Sequence, residues 1–151
     1  MNHDFSENDK EYYSQGSCHE FAIAMHRLYG TKFIIAFSDN VFDGSEEENE
    51  QYDIIHVYAW DDKTDMLYDV FGSIPIQEMR DNIENRFMCD IYETDYCYSE
   101  KELSIYIDSE NNYNKQLTSF EEKDIEEAKN KILQYGLFFK DKSIQPSGYN
   151  A

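Results

Sequence analysis

The sequence has few basic residues. It contains 13 Lys and Arg against 32 Asp and Glu, which gives a formal charge of −19 over 151 residues. A surface of this charge repels a phosphate backbone, which argues against direct binding to nucleic acid. The charge has two interpretations: it keeps the protein soluble, or it complements a basic partner, such as a nucleic-acid-binding protein whose site the chain occupies as a decoy.

Long apolar segments and export signals are also absent. No apolar run approaches the roughly 18 residues of a membrane-spanning helix. Residues 1–6 lack both the basic region and the apolar core of a secretion signal. The 3 cysteines cannot all pair internally, and without an export signal the default is reduced thiols in a cytosol. We therefore expect a cytoplasmic protein with no membrane partner.

The remaining composition is that of one folded domain. Hydrophobic residues make up 40% of the chain and aromatic residues 16%, which suits a single core at this length. We assign residues 1–151 to one domain with flexible ends at about 1–12 and 141–151. No internal repeat and no linker divides the chain, and the oligomeric state is left open.

The first strong secondary-structure signal is a helix from Cys18 to about Tyr29. Ser17 and Glu20 form an S-x-x-E capping box at its start, and Gly30 is a typical C-terminal stop. Apolar residues recur at helical spacing, which predicts that one side of the helix is buried. They are Phe21, Ala24, Met25, Leu28 and Tyr29.

Three strands are predicted after this helix. Residues 32–37 form a short apolar run, and residues 53–60 and 66–71 form a hairpin around a turn at 61–65. The acidic segment 39–53 between the first and second strands is too charged to pack, so we interpret it as a solvated surface loop.

The register of the hairpin decides whether two polar residues meet. With residues 62–63 as a two-residue loop, Trp60 pairs with Asp65. His56 then lies directly opposite Asp69, and both side chains are on the same face of the sheet. A slip by one residue would place them on opposite faces.

The second half of the chain gives weaker signals. Pro75 suits the first turn of a helix. The alternation of apolar residues over 103–107 favours a strand, although Ser99 and Glu102 would also cap a helix. A capping box opens a final helix over residues 119–135, which Gly at the next position ends.

Cys18, His56 and Asp69 provide the groups that nucleophilic acyl chemistry needs. The free N–H groups and the dipole at a helix N-terminus lower the pKa of a cysteine there from about 8.5, and they stabilise an oxyanion. His56 takes the thiol proton and returns it to the leaving group, and Asp69 fixes the imidazole tautomer. Each residue alone is more often structural, but their joint occurrence favours a catalytic triad.

This order of residues resembles the papain-like cysteine superfamily, which includes the NlpC/P60 peptidases and the transglutaminase-like enzymes. The Gly-Ser-Cys sequence at 16–18, His56 on its strand and Asp69 within Tyr-Asp-Val carry the resemblance, which covers residues 14–72. It implies an α+β fold in which an N-terminal helix packs on an antiparallel sheet, with an additional C-terminal helix. It also implies that Cys18 is the nucleophile, His56 the base and Asp69 the orienting acid.

Several neighbouring residues are candidates for substrate binding or for an oxyanion hole. Papain-type peptidases carry an oxyanion-hole glutamine several residues before the cysteine, whereas Gln15 lies closer to it here. Tyr58 and Trp60 share a strand face with His56 by alternation, so they line either a substrate groove or the core. The full set of candidates is Gln15, Ser17, His19, Tyr58 and Trp60.

Metal and cofactor sites have less support in the sequence. There is no C-x-x-C or H-E-x-x-H pair, no Walker loop and no Rossmann glycine pattern. We therefore predict neither a metal nor a cofactor, and we interpret two cysteines as free thiols in an irregular, tyrosine-rich segment at 89–98. The soft ligands considered are Cys18, His19, His56, Cys89 and Cys97.

The sequence thus favours a cysteine-dependent hydrolase or acyl/amide transferase. A peptidase, a deamidase and a transglutaminase-like enzyme share the first steps on a protein or peptide amide, and the acidic surface favours a basic substrate. An alternative of a different class is a non-enzymatic acidic binding protein, either an inhibitor or a nucleic-acid mimic. A catalytically silent papain-like fold retained for binding would combine the two.

Overall fold

Helices flank a single sheet in this computed structural model, which describes residues 5–15, 17–38, 53–87, 93–109 and 121–135. The helices are α1 (Glu7–Gln15), α2 (Cys18–Tyr29), α3 (Met79–Phe87), α4 (Glu100–Asp108) and α5 (Glu122–Tyr135), and a 3₁₀ turn at Ile76–Glu78 leads into α3. The strands are β1 (Lys32–Ser38), β2 (Asp53–Asp61), β3 (Met66–Asp69), β4 (Gly72–Pro75) and β5 (Glu93–Cys97). The protein is therefore α+β, as expected.

The strands form one antiparallel sheet in the order β4-β3-β2-β1-β5. One face, here called the α2 face, contributes side chains to the core that contains α2; they include Phe33, Ile35, Val57, Ala59 and Tyr68. The opposite face, here called the α3 face, packs against Ile83 of α3; its side chains are Ile34, Ala36, Tyr58, Trp60 and Leu67. Since both faces carry buried side chains, β1 and β2 are apolar at nearly every position.

The central helix, α2, has the predicted bounds. Nine of its 12 residues are buried, and Gly30 ends it in a left-handed conformation (φ 79°) while donating its N–H to the His26 carbonyl. The predicted capping box is wrong, because the Ser17 side chain accepts no cap hydrogen bond. The Ser17 carbonyl accepts from the N–H groups of Glu20 and Phe21 instead.

The β2–β3 hairpin does not have the predicted register. Trp60 pairs with Leu67 rather than with Asp65, which is a shift of two residues. His56 and Asp69 are therefore diagonal neighbours and not directly opposite each other. Because side chains alternate with a period of two, an even shift leaves both residues on the face predicted for them.

A four-residue turn causes this shift. The Asp61 carboxylate accepts hydrogen bonds from the Lys63 N–H and from the Thr64 hydroxyl, each at 3.0 Å. The Asp61 carbonyl accepts from the N–H of Asp65 at 2.8 Å, and Asp65 adopts a positive φ of 60°. One aspartate therefore organises a longer loop than the two-residue turn that strand alternation suggested.

The strand predicted over residues 103–107 is wrong, since this segment lies in α4. Leu103 and Ile107 are buried one helical turn apart, whereas Ile105 is 63% exposed. The Ser99 hydroxyl accepts from the Glu102 N–H at 3.1 Å and caps the helix. The cap and the spacing of the two buried residues decide against the strand.

Two strands have no counterpart among the predictions. β5 lies in the tyrosine-rich segment that we expected to be irregular, and it pairs with β1 at the edge of the sheet. β4 follows β3 after a two-residue turn, and Gly72 pairs with Asp69 there. The φ of Gly72 is 130°, a conformation that favours glycine.

The N-terminal part of the described chain is helical where we expected a flexible end. Phe5 is buried and its ring lies 5.6 Å from that of Phe21. Lys131 of α5 forms an ion pair with Asp9 of α1 at 2.7 Å. The acidic loop at 39–52 and the C-terminal end fall outside the described residues. None of the described helices combines the length and the apolar character that crossing a membrane requires.

Three helices are joined by one arginine. Arg27 of α2 makes two hydrogen bonds to Glu100 of α4, at 2.9 and 2.8 Å, and two to Glu122 of α5, at 2.7 and 3.0 Å. These bonds lower the pKa of the Glu100 carboxyl. A carboxylate with a lowered pKa stabilises the fold above its normal titration range, and this stabilisation is lost as acid protonates it.

We expect Glu100→Gln to lower the free energy of unfolding by about 1 kcal/mol at neutral pH, because a half-buried, bidentate pair is lost. Urea denaturation measures this change. Glu122→Gln is the matched control and should cost less, since its side chain is 71% exposed and water screens its charge. If the two variants lost the same free energy of unfolding, the Arg27–Glu100 pair would not be the stronger of the two.

Candidate active site

Cys18 is the first residue of α2 and is buried, with 2% of its surface exposed. The N-terminus of an α-helix carries a partial positive charge that favours an anion nearby. The fold therefore places the thiol in the field that the sequence predicted for it.

His56 and Asp69 are joined directly. His56 Nε2 lies 2.9 Å from Asp69 Oδ2, and 0% of the His56 surface and 7% of the Asp69 surface are exposed. The other carboxylate oxygen of Asp69 accepts from the Phe71 N–H at 2.9 Å. Because the β3–β4 turn holds one oxygen, the second is fixed toward the imidazole.

The Cys18 thiol is electrostatically coupled to this pair. Burial by itself would raise the pKa of Cys18, but hydrogen bonds to His19 and His56 and the charges of both rings lower it to about 6. Burial likewise acts to lower the pKa of His56, but hydrogen bonds to Asp69 and Cys18 raise it to about 9. Near neutral pH the favoured state of the pair is a thiolate beside an imidazolium.

The structure thus brings together all three predicted triad residues. Since Nε2 of His56 bonds to Asp69, Nδ1 is the ring nitrogen that remains to exchange a proton with the thiol. A base whose far nitrogen is held by a carboxylate is the arrangement that nucleophilic catalysis uses.

His19 is a second imidazole beside the thiol. It is 2% exposed, and it contributes to lowering the pKa of Cys18. It also acts on the next residue, because its charge opposes the rise in the pKa of Glu20 that burial causes. The structure therefore places His19, one of the predicted substrate-binding or oxyanion-hole candidates, beside Cys18.

The two predicted aromatic residues of β2 have different surroundings. The ring of Tyr58 meets that of His56 edge to face, with centroids 4.6 Å apart, and its hydroxyl donates to Asn82 of α3. Trp60 lies four residues beyond His56, roughly 13 Å along the strand, and its Nε1 donates to Asp65 at 3.0 Å. Tyr58 is therefore a wall of the site, whereas Trp60 is not brought to the triad.

Asn82 is a residue that the sequence did not single out. It holds the Tyr58 hydroxyl, and Tyr58 supports the imidazole of His56. Sequence periodicity could not have predicted this contact, because Asn82 lies more than 20 positions after the strand that carries Tyr58. Burial of Tyr58 would have indicated that a polar side chain packs on β2, because a buried tyrosine hydroxyl needs a hydrogen-bond partner.

A small cavity adjoins the Asp69 end of the site. Its volume is about 30 Å³, and Tyr58, Asp69 and Arg86 are among its lining residues. This space suits one or two water molecules and not an amino-acid side chain. Since Cys18 is also buried, a reagent reaches its sulfur only when neighbouring side chains move.

The remaining predicted residues give no support for a metal site. Within the described ranges no group of three or more His, Cys, Asp or Glu residues is arranged to hold an ion. Cys97 is a buried free thiol, and burial together with Glu102 and Asp95 raises its pKa to about 12. Cys89 and the side chain of Gln15 lie outside the described part of the chain.

Comparisons with protein-family models, with curated proteins and with solved structures found no match to this chain.

Proposed function

We propose that the protein is a cysteine-dependent hydrolase or acyl transferase that acts on an amide of a protein or peptide, with the helix and sheet in a papain-like arrangement. The supporting observation is the 2.9 Å bond between His56 and Asp69 at a buried imidazole that lowers the pKa of the Cys18 thiol.

In the proposed reaction, the Cys18 thiolate attacks the carbonyl carbon and forms a C–S bond. The carbonyl oxygen takes up the electron pair and becomes an oxyanion near the N-terminus of α2. The His56 imidazolium gives its proton to the amide nitrogen, the C–N bond breaks, and an amine leaves. Water or a second amine then attacks the thioester while His56 takes its proton, and Cys18 departs as the thiolate.

A second candidate function is a non-enzymatic acidic binding protein. The burial of Cys18, which is 2% exposed, favours this candidate, because a sealed thiol turns over no substrate. The charge of −19 suits a basic partner equally well in both cases.

Trapping the acyl-enzyme tests the proposal. We expect peptide esters with Lys or Arg side chains, which acylate thiols readily, to add one acyl group to the native protein. Intact-protein mass spectrometry followed by peptide mapping should locate it on Cys18. Hydroxylamine should release the group, and added primary amines should compete with water for it if the enzyme is a transferase.

Two variants give this experiment its control. Cys18→Ala should form no adduct, whereas Cys97→Ala, which removes an equally buried thiol, should form it as the native protein does. Acylation that is absent, or that is distributed equally between the two thiols, would exclude the enzyme and leave the binding protein.

A further inference from the structure

Trp60, Tyr96 and Tyr98 form a cluster on the α3 face next to the edge strand β5; we call it the aromatic patch. The ring centroid of Trp60 lies 4.7 Å from that of Tyr96 and 5.8 Å from that of Tyr98. Trp60 is only 8% exposed, but Tyr96 is 45% and Tyr98 52% exposed. The tyrosines therefore cover the indole and present their own outer faces to solvent.

The two exposed tyrosines of the patch lie beside the same ring, that of Trp60. The large exposed hydrophobic side chains of the described residues are Tyr12, Tyr96, Tyr98 and Ile105, and two of the four share the patch. Single exposed apolar residues are common on protein surfaces, whereas adjacent ones are typical of interaction sites. The patch is a rigid platform as well, because β5 is held in the sheet by β1.

Negative charge adjoins the aromatic patch. Oδ1 of Asp65 accepts from Trp60 Nε1 at 3.0 Å, and Asp65 is exposed in the β2–β3 turn together with Asp62. The neighbouring cations are Lys63 of that turn and Lys32, which pairs with Trp60 across β1 and β2 and whose Nζ donates to the Gly30 carbonyl at 3.2 Å. A carboxylate beside exposed aromatic faces attracts Lys and Arg side chains, which bind over such rings within about 6 Å of the centroid.

We propose that the aromatic patch is a docking surface for a basic peptide segment, whose Lys or Arg side chains lie on the outer faces of Tyr96 and Tyr98 near Asp65. Nucleic-acid bases also stack on exposed tyrosines, but the charge of −19 repels their phosphates. That the bound segment is a substrate rests on the proposed function. The patch would then capture substrate at a distance of roughly 13 Å along β2 from His56.

The chain carries its own reporter for this surface, since Trp60 is its one tryptophan. Fluorescence of the Cys18→Ala protein should change saturably when a short Lys- and Arg-rich peptide is titrated. A peptide of the same length with Glu in place of the basic residues should cause no change. Rising salt should weaken the binding, because screening reduces the attraction between the charges.

Substitutions localise the binding. Tyr96→Ala and Tyr98→Ala should each raise the Kd about 3- to 5-fold, the loss expected for an exposed cation–π contact. Asp65→Asn should raise it as well, and asparagine tolerates the positive φ found there. Tyr12→Ala is the matched control, because Tyr12 is 50% exposed on α1 and should leave the Kd unchanged.

The outcomes separate this inference from the proposed function. If the patch variants bind the basic peptide as tightly as Tyr12→Ala does, the docking surface is excluded and the attraction is due to overall charge. That result leaves acylation of Cys18 intact. Conversely, binding that depends on the patch in a protein whose Cys18 never acylates supports the docking surface and excludes the enzyme.

Discussion

At pH 7, a small alkylating reagent should modify Cys18 about 100 times faster than Cys97. Exposure does not distinguish the two thiols, since they are 2% and 1% exposed. Their pKa values do, because the imidazoles lower that of Cys18 to about 6 while burial and neighbouring carboxylates raise that of Cys97 to about 12. The pair therefore isolates the electrostatic effect of the site.

The magnitude follows from two opposing factors. At pH 7 roughly nine-tenths of Cys18 is thiolate, against about 10⁻⁵ of Cys97, which is a ratio of about 10⁵. A thiolate with a lower pKa is a weaker nucleophile, with a Brønsted coefficient of about 0.4–0.5, and this reduces the ratio by several hundred-fold. The product is about 100-fold in favour of Cys18.

Iodoacetamide time courses with peptide mapping at a series of pH values measure this difference. The rate for Cys18 should rise as the pH increases through about 6 and then remain level until His56 loses its proton at about 9. In denatured protein the two rates should become equal. A Cys18 profile centred on the ordinary cysteine value of about 8.5 would show that the thiol is not activated.

The sequence was sufficient to predict that His56 and Asp69 lie on the same face of the sheet, because side chains along a strand alternate with a period of two. His56 and Asp69 were assigned to one face of a hairpin, and that assignment survives a register that is wrong by two residues. What the pattern could not supply was the loop length, which depends on hydrogen bonds from the Asp61 side chain. The face of the sheet on which a side chain lies is therefore easier to predict than its partner residue on the neighbouring strand.

Segments with two competing patterns were the ones that failed. The apolar residues from 103 to 107 alternate as in a strand, yet Leu103 and Ile107 also have helical spacing. Only tertiary packing, which buries these two and leaves Ile105 exposed, decides between the patterns. The bonds of Arg27 to α4 and α5 were equally beyond prediction, because they join residues that are more than 70 positions apart.

Replacing Asp69 with Asn should lower turnover of an acylating peptide substrate by about 10³- to 10⁴-fold. The substitution keeps the shape of the side chain, and its oxygen can still accept from the Phe71 N–H and hold the β3–β4 turn. The new amide group, however, donates to Nε2 of His56 and so forces the proton onto Nδ1. That tautomer cannot take a proton from the thiol, and such an exchange is costly in triads of this kind.

The pH profile distinguishes this effect from a structural one. The carboxylate helps to hold the pKa of His56 at about 9, so without it burial lowers that pKa and activity should fall at a lower pH than in the native protein. The effect should be on kcat, since Asp69 acts through His56 and not on the substrate. Urea denaturation should show that the variant remains folded.

His56→Gln should lower turnover at least as far, by about 10³-fold or more, and should also raise the pKa of Cys18, since burial then meets less opposition. Alkylation of Cys18 at pH 7 should slow in the same variant, which connects the loss of turnover to the thiol. His26→Gln is the matched control, because His26 lies at the other end of α2 and contacts the Thr31 carbonyl. If His56→Gln and His26→Gln had equal effects, the imidazole on β2 would be a structural residue and the thiol would have no base.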